Sequence, residues 1–537
     1  MKIKLIVLLV SLLSLLSADA QTAPADTTQP LEILAPTQRN RFQKLPDGSE
    51  LQILAGTVKV RQGTTLFYCD SLVVNSNTNI LEAFGRVHIN DSDTAHVYSK
   101  YLRYLVNERK AFLTGNVKLT DGHGTLTTNN LEYDVATKVG TYRNGGRVVN
   151  KKSVLTSDEG VYYADIRDVY FKKNVRLKDP AFSMRTDSMI YNTETQMARF
   201  ITETFMIDSS GRTIQTREGF YDLREKRAEF TQRTRIQDKS MVVLGDQIAN
   251  DDQAGIIQIR GNGVLIDSAQ GVNILANEIF ANKKTGAYLA TKKPLMIIRQ
   301  EKDSIYVAAD TLFSARLTDL YGIPDSAQKQ AAPVAKKGKT ATSPRLNNDS
   351  TNRYFEAFRN VRVFSDSVQA VSDSMFYSFK DSTFRLYDNP VVWSRKSQIL
   401  GDTIYLFTKN KKADRIKVFE NSFVINESQA GIYNQVKSTR MDGFFKEGTI
   451  DTIGAKGSAE TIYFIQDDDS AYTGINQTTS DDMDVYFNKG NLQKVVFRNA
   501  VKGTLTPMSQ KDPAAARLEK FEWLERRRPK TKYELFE

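Results

Sequence analysis

The chain has 537 residues, a formal net charge of +11 at neutral pH and a single cysteine, Cys69. This length exceeds what one compact core usually holds, whereas a stacked array has no such limit because each layer contacts only its neighbours. One cysteine excludes an internal disulfide framework, so the fold must be stabilised by packing. The positive charge indicates anionic partners.

Residues 1–20 are predicted to be a secretory signal peptide. Lys2 and Lys4 precede an apolar run of about a dozen residues, and Ala18-Asp19-Ala20 forms an A-x-A cleavage site. The run is too short for a membrane-spanning helix, which needs about 20 apolar residues. We therefore expect cleavage after Ala20 and export. Outside the cytoplasm, phosphorylated lipids, acidic glycans and membrane surfaces fit a basic protein better than nucleic acid does.

Residues 21–46 are rich in Pro, Thr and Gln and are predicted to form a disordered leader. An internal repeat follows in residues 47–321, which we assign to an N-terminal β-repeat domain. Tyr133, Tyr162 and Tyr191 occupy the same position in units that restart every 29 residues. Each unit contains two short runs of alternating apolar and polar residues, which predict two half-buried strands. A period of this length indicates that neighbouring units must stack to bury their apolar faces.

The repeat pattern is interrupted once and then returns. Residues 322–352 contain Ala, Lys, Pro, Ser and Asn with almost no large apolar residue, and they are predicted to be a low-complexity linker or insertion. Residues 353–508, where Met375-x-Tyr377 repeats the motif, are assigned to a C-terminal β-repeat domain. Residues 509–537 form a charged tail, which we predict to contain a short helix.

The sequence offers no convincing catalytic, metal or nucleotide site. Its three histidines are His88, His96 and His123. They are too few and too scattered for a zinc site. Gly338-Lys339-Thr340 lacks the earlier glycine of a phosphate-binding loop, and the acidic clusters Asp467–Asp469 and Asp481–Asp482 lack the ligand spacing of a calcium loop. We therefore predict a protein that is not an enzyme and that has no cofactor and no metal.

What remains is an apolar stripe along the first strands of the units. Alternate side chains of a strand share one face, so these residues are predicted to line a single surface. The stripe consists of Leu72, Val74, Leu102, Tyr104, Leu131, Tyr133, Tyr162, Met189 and Tyr191. It either fills a dry core between two sheets or lines a continuous groove between splayed sheets. Small residues at Gly160 and Gly219 favour a groove, and tyrosine suits a rim where its hydroxyl stays in water.

The repeat units resemble a known family. Asp187-Ser188-Met189-Ile190-Tyr191-Asn192, Gly115-Asn116-Val117 and the variant Gly85-Arg86-Val87 are similar to the OstA-type repeat of periplasmic lipopolysaccharide-transport proteins, the LptA family and the soluble N-terminal domain of LptD. The resemblance covers residues 50–320 and, less closely, 355–427. It implies an all-β, elongated repeat array, the OstA-type β-jellyroll or β-taco, whose inner face shields acyl chains. The chain departs from the family in its greater length and in carrying residues 322–352.

We therefore expect a non-enzymatic lipid-binding protein in the periplasm, associated or not with the outer membrane. It would shield the acyl chains of lipopolysaccharide, or of a related anionic glycolipid, during transport to the outer membrane or assembly there. By resemblance, its partners would be other jellyroll transport proteins joined by end-to-end strand addition and an outer-membrane assembly protein, with a separate ATPase supplying energy. The sequence is compatible with two roles, a bridge subunit and an accessory protein at the outer membrane. The alternatives are a polysaccharide-active enzyme with a parallel β-helix and a structural surface repeat protein with a dry core.

Basic residues in or near the second strands are predicted to steer anionic headgroups outside the groove. Solvated outward positions are the other interpretation of the same residues. The residues are Lys118, Arg147, Lys172, Lys173 and Arg176.

Overall fold

The chain is almost entirely β-structure. The structure, a computed structural model, describes residues 30–34, 37–299, 304–320, 352–410, 412–467, 469–489 and 491–536. Within these ranges it has 40 strands, one short helix at Leu317–Leu320 and 3₁₀ turns at Met508–Gln510, Pro513–Ala515, Glu525–Arg527 and Lys532–Leu535. The all-β prediction is confirmed. Each strand pair whose register is defined is antiparallel, which excludes the parallel β-helix.

The strands are numbered in chain order. The first fifteen are β1 (Leu31–Ile33), β2 (Arg39–Lys44), β3 (Glu50–Gln62), β4 (Thr65–Asn75), β5 (Ile80–Asp91), β6 (Ala95–Leu105), β7 (Lys110–Thr120), β8 (Thr125–Asp134), β9 (Val139–Tyr142), β10 (Gly146–Asn150), β11 (Ser153–Ser157), β12 (Glu159–Tyr163), β13 (Asp168–Lys178), β14 (Phe182–Asn192) and β15 (Met197–Phe200). The next thirteen are β16 (Thr204–Asp208), β17 (Thr213–Thr216), β18 (Gly219–Asp222), β19 (Arg227–Phe230), β20 (Thr234–Asp238), β21 (Met241–Gly245), β22 (Gln247–Asp251), β23 (Ile256–Asp267), β24 (Val272–Asn282), β25 (Ala287–Thr291), β26 (Leu295–Ile298), β27 (Ile305–Ala308) and β28 (Thr311–Ala315). The last twelve are β29 (Tyr354–Phe364), β30 (Gln369–Ser378), β31 (Thr383–Tyr387), β32 (Val391–Ser394), β33 (Ser397–Leu400), β34 (Thr403–Lys409), β35 (Lys412–Gln429), β36 (Ile432–Lys446), β37 (Thr449–Gln466), β38 (Tyr472–Asn488), β39 (Asn491–Arg498) and β40 (Lys502–Pro507).

Strand β7 shows why the sequence folds this way. Ala111, Leu113 and Leu119 are buried, whereas the alternate residues Phe112 and Lys118 are exposed. This two-residue period buries one face of the strand and leaves the other in water. The register with β8 shifts between Thr114 and Val117, where Gly115 and Asn116 both adopt a positive φ. Glycine and asparagine tolerate that conformation, so the Gly-Asn-Val motif marks a bulge at which the strand bends.

The bulges divide the repeats into two half-sheets. In the first repeats, the segments of half-sheet A end at the turns 76–79, 106–109, 135–138 and 164–167, and those of half-sheet B end at the turns 63–64, 92–94, 121–124 and 151–152. We call these two rows of turns lip A and lip B. A Cβ placed on Gly140 in half-sheet A would lie 3.3 Å from Leu119 Cδ1 in half-sheet B. The inner faces of the half-sheets therefore contact each other, with the bulges along the fold and the lips along the opening.

The chain divides into two compact units. Unit 1 comprises the residues up to Pro180 together with Arg185–Gln196, and unit 2 comprises Ala181–Met184 and the residues from Met197 onward. From the sequence alone, we expected the two β-repeat domains to be separated by a linker or insertion at 322–352. In the structure, Leu312 of β28 pairs with Ala357 of β29, so that segment is an insertion between neighbouring strands of unit 2. The predicted signal peptide and residues 322–351 lie outside the described residues.

Two sequence-based predictions about the ends differ from the structure. Part of the predicted disordered leader is ordered, because β1 and β2 pair with the two halves of β3. The tail after Gln510 is not an α-helix. It is an extended strap with short 3₁₀ turns, and Ala516, Leu518 and Leu535 within it are buried. Residues 511–536 are called the strap below.

The strap is held by side-chain amides of unit 2. Gln435 donates to Ala516 O and accepts from Leu518 N, both at 2.8 Å. Gln398 likewise donates to Glu522 O and accepts from Leu524 N, both at 2.7 Å. The glutamines belong to one cross-strand row on half-sheet B, which runs Gln369, Trp393, Gln398, Ile425, Gln435, Ile462. These side-chain amides form hydrogen bonds with the backbone of the strap, in place of the backbone–backbone hydrogen bonds that a helix would have.

Candidate functional site

The predicted apolar stripe lies on the inner face of half-sheet A. Val74 is half-buried, and the other eight members are at most 2% exposed. Its members are Leu72, Val74, Leu102, Tyr104, Leu131, Tyr133, Tyr162, Met189 and Tyr191. All nine belong to unit 1. The stripe therefore forms one continuous wall of the interior of this unit.

A ladder of tyrosine hydrogen bonds crosses the opening of unit 1. Tyr133 at lip A donates to Asp91 Oδ2 at lip B over 2.8 Å. Tyr162 donates in the same way to Asp121 Oδ2 over 2.9 Å, and Tyr104 donates to Gln62 Oε1. Each tyrosine reaches a residue 41 or 42 positions upstream, so the same rung recurs in successive repeats. The lips are thus joined by side chains.

From the sequence, we expected the tyrosine hydroxyls to lie in water at a rim. In the structure, these hydroxyls are inside the closed opening. Tyr104 and Tyr133 are fully buried, and burial raises the pKa of Tyr104 to about 12. Burial, together with the nearby charge of Asp91, also raises the pKa of Tyr133. The acceptor positions Gln62, Asp91 and Asp121 recur every 29 or 30 residues, and this spacing is the sequence signal that could have located them.

Asp121 is the most connected rung of the ladder. Besides the bond from Tyr162, its Oδ2 accepts from Thr193 Oγ1 at 2.6 Å, and its Oδ1 accepts from the backbone N–H groups of His123 and Gly124. Burial alone would raise the pKa of Asp121, but these four hydrogen bonds outweigh it and hold the pKa below its usual range. The carboxylate is therefore charged inside the closure.

The two glycines that suggested open space are filled by their neighbours. A Cβ on Gly160 would lie 2.4 Å from Tyr142 Oη, because the buried Tyr142 ring covers this glycine. A Cβ on Gly219 would lie 2.4 Å from the backbone oxygen of Glu229. The expectation that these glycines leave a gap is wrong, since small residues here admit a ring or a neighbouring backbone.

In unit 2, a charged bridge crosses between the lips. The guanidinium of Arg212 on lip B binds Asp252 on lip A through two hydrogen bonds of 3.0 Å, and Lys283 lies 3.3 Å from the same carboxylate. Burial opposes ionisation of Asp252, but the hydrogen bonds from Arg212 and Asn250 and the two positive charges lower its pKa to about 2. Beside this bridge is a cavity of about 280 Å³. Its apolar lining is formed by Phe182, Met206, Ile214 and Tyr221.

The predicted headgroup-steering residues lie away from the opening. Lys118, Arg147 and Arg176 point outward from half-sheet B, and Lys172 points outward from half-sheet A over the ring of Tyr170 at 4.7 Å. Lys173 lies at the bulge of β13 with a positive φ, where it pairs with Glu159 at 2.8 Å. A headgroup at the lips would contact lip residues before it contacts these five.

Two of the three histidines are neighbours, contrary to the expectation that they are scattered. The hairpin of β5 and β6 places His88 Nε2 3.2 Å from His96 Nδ1. Burial, and to a lesser degree His96, lower the pKa of His88. Among the described residues, no group of three or more His, Cys, Asp or Glu side chains is arranged to hold a metal ion. No helix in the described ranges is long and apolar enough to span a membrane.

Comparisons with known proteins identify the repeats. Residues 33–187 match the family described as OstA-like protein. The resemblance to OstA-type repeats is thereby confirmed. Residues 139–262 match the family described as lipopolysaccharide-assembly, LptC-related. The two matches together run from β1 through the bridge between Arg212 and Asp252.

Among solved structures, the chain is similar to LptH from Pseudomonas aeruginosa, described as the LptA homologous periplasmic component of the conserved lipopolysaccharide transport device. The identity is 14%, and the similarity covers 28% of this chain and 87% of LptH with a TM-score of 0.15. No curated protein matches the chain.

Proposed function

We propose that this chain is a non-enzymatic periplasmic protein that shields acyl chains of lipopolysaccharide, or of a related anionic glycolipid, during transport to the outer membrane or assembly there. The matches to OstA-like and LptC-related families support a role in lipopolysaccharide transport. The finer assignment rests on one observation. The apolar interior of unit 1 is closed along its opening by side chains, so it can open without breaking strand pairing.

The free energy of burying an acyl chain exceeds that of the tyrosine hydrogen bonds that close unit 1, so a lipid would favour opening. Burying an acyl chain of about 12 carbons is worth on the order of 10 kcal/mol, at about 0.8 kcal/mol per methylene. A neutral hydrogen bond such as that of Tyr104 contributes only about 1 kcal/mol net, and one to a carboxylate such as Asp91 about 1.5–3 kcal/mol. One inserted chain therefore outweighs the two or three rungs that it would separate. The stripe residues, from Leu72 to Tyr191, would contact the chain.

Photo-crosslinking tests this proposal. Photoreactive amino acids at Leu131 and Met189, which point inward, should label lipopolysaccharide when the full chain is mixed with it. The matched controls are Glu132 and Ile190, which are neighbours on the same strands and are not buried. Labelling confined to the control positions would contradict the proposal.

The dry-core structural protein is the second candidate, because one observation favours it. The stripe is nearly fully buried, and the Tyr142 ring occupies the space above Gly160. This candidate predicts that neither inward position labels at any lipid concentration. The same experiment therefore decides between the two functions.

A further inference from the structure

The outward face of half-sheet B in unit 1 is mainly positive. Between the bulges and lip B, its outward positions on β3 to β13 include six lysine and arginine side chains and no carboxylate, within a stretch that the structure describes throughout. The six are Lys59, Arg61, Lys118, Arg147, Arg176 and Lys178. None of them is buried. At the bulges, Asp70 pairs with Arg86. Glu32 on β1 pairs with Arg61, which leaves five cations without a strand carboxylate beside them on this face.

The outward face of half-sheet A in the same unit differs. It carries both signs in equal number: the basic side chains are Arg39, Arg41, Arg103, Lys110 and Lys172, and the acidic ones are Glu82, Glu132, Asp134, Glu159 and Asp168. The outward face of half-sheet B is therefore positive, whereas that of half-sheet A is close to neutral.

The cations on half-sheet B are regularly spaced. Cross-strand neighbours run Lys118, Thr127, Arg147, Thr156, Arg176. Strands lie about 4.8 Å apart, so the three cations are about 10 Å from one another along the row. At the other end of the row, Lys59 and Lys118 cap a stack of rings formed by Tyr68, His88 and Tyr98.

The composition of this face indicates what it fits. The core of a protein–protein interface is usually depleted of charge and contains aromatic anchors that insert into pockets. Here the faces of the rings are already covered by one another and by lysines, and Lys, Arg and Thr occupy the row itself. We propose that the outward face of half-sheet B in unit 1 docks on the surface of a lipid bilayer that contains anionic phospholipids. Attraction to a diffuse layer of headgroup charge requires many spaced cations and no central apolar anchor.

Vesicle flotation with the full chain tests the proposal. The triple variant Lys118→Gln, Arg147→Gln and Arg176→Gln neutralises three cations of the face. Each Lys or Arg near an anionic surface contributes about fivefold to binding, so the variant should bind vesicles of phosphatidylcholine with about 30% phosphatidylglycerol roughly a hundredfold more weakly. The matched control, Arg103→Gln, Lys110→Gln and Lys172→Gln, changes the net charge equally on the other face and should lose less than about fivefold. Binding by the unaltered chain should fall when salt is raised from about 0.05 M to about 0.5 M.

Three results would overturn the proposal. The first is an equal loss of vesicle binding in the two triple variants. The second is failure of the unaltered chain to bind the anionic vesicles. The third is binding of the chain to an acidic polypeptide such as polyglutamate without binding to vesicles. Equal thermal unfolding of both variants and the unaltered chain controls for folding, because all six side chains point outward. The inference goes beyond the proposed function and is independent of it, since vesicle binding can persist when the interior captures no acyl chain.

Discussion

At the scale of single residues, the tyrosine ladder predicts how much one hydroxyl contributes to the free energy of unfolding. Tyr133→Phe would leave the buried carboxylate of Asp91 with one hydrogen bond fewer and should lower the free energy of unfolding by about 1–3 kcal/mol. Chemical denaturation measures the change. The control is Tyr163→Phe, whose side chain is 40% exposed and should change little. Equal effects of the two substitutions would show that the rung contributes nothing to closure.

The Arg212–Asp252 bridge makes a prediction about pH. The pKa of Asp252 is lowered to about 2 from an ordinary value of 3.8, so the unfolded chain takes up the proton first as the pH falls. Its stabilisation, on the order of 2 kcal/mol, is present above about pH 5 and is lost between about pH 5 and 2. Asp252→Asn should therefore be less stable than the unaltered chain at neutral pH, and the difference should shrink toward pH 2.

Denaturation at a series of pH values checks this, with the exposed Asp469→Asn in the same unit as the control. A difference between Asp252→Asn and the unaltered chain that stays constant from pH 7 to about 2 would mean that the bridge does not hold the carboxylate charged.

The same residues show which parts of the site could be predicted. The inward stripe follows from two-residue periodicity, so Leu131 and Met189 could be placed from the sequence alone. The partners of Tyr133 and Tyr162 could not, because they lie 41 or 42 residues upstream on the opposite lip and depend on how the half-sheets fold over. Gly160 was misinterpreted for a related reason, since only the fold shows that the Tyr142 ring covers it.

At the scale of secondary-structure elements, the strap was the least predictable part of the chain. Its charged, alanine-containing sequence favours a helix locally, but its backbone is bonded by Gln398 and Gln435, which are more than 80 residues away in sequence. Such contacts override local propensity. The strands themselves were predictable, because each repeat has the same alternation of apolar and polar residues.

We expect Leu518→Ala in the strap to lower the stability of unit 2 by about 2–4 kcal/mol, because Leu518 is 5% exposed and packs with Phe423, Ile462 and Phe464. Thermal unfolding measures this. Glu519→Ala is the matched control, since its side chain is 81% exposed. If Leu518→Ala unfolds like the control, the strap is not part of the core of unit 2.

At the scale of the whole molecule, the terminal strands bear on assembly. At the C-terminal end, β39 and β40 pair with the two halves of β38, and Val501 and Leu505 nearby are 51% and 63% exposed. We propose that this edge accepts a strand of another jellyroll domain, since edge strands present unpaired backbone groups. An outer-membrane assembly protein is a further proposed partner.

Val501→Lys with Leu505→Lys should weaken self-association or capture of a related jellyroll domain, as measured by sedimentation velocity at high concentration. A lysine at Leu289, which is 38% exposed on a strand paired on both sides, is the control and should have no effect. A chain that is monomeric before and after the double substitution, and that binds no jellyroll domain, would contradict strand addition.

The difference in charge between the two outer faces of unit 1 would also set an orientation. If half-sheet B lies flat on an anionic bilayer, half-sheet A becomes the roof of the folded unit, about 10 Å higher, the usual distance between packed sheets. The row of lips then faces sideways, parallel to the plane of the bilayer. A lipid leaving such an opening would need to tilt by about a right angle before its chains could align with those of the membrane below. Docking by this face would thus hold a cargo beside the membrane without releasing it into the leaflet.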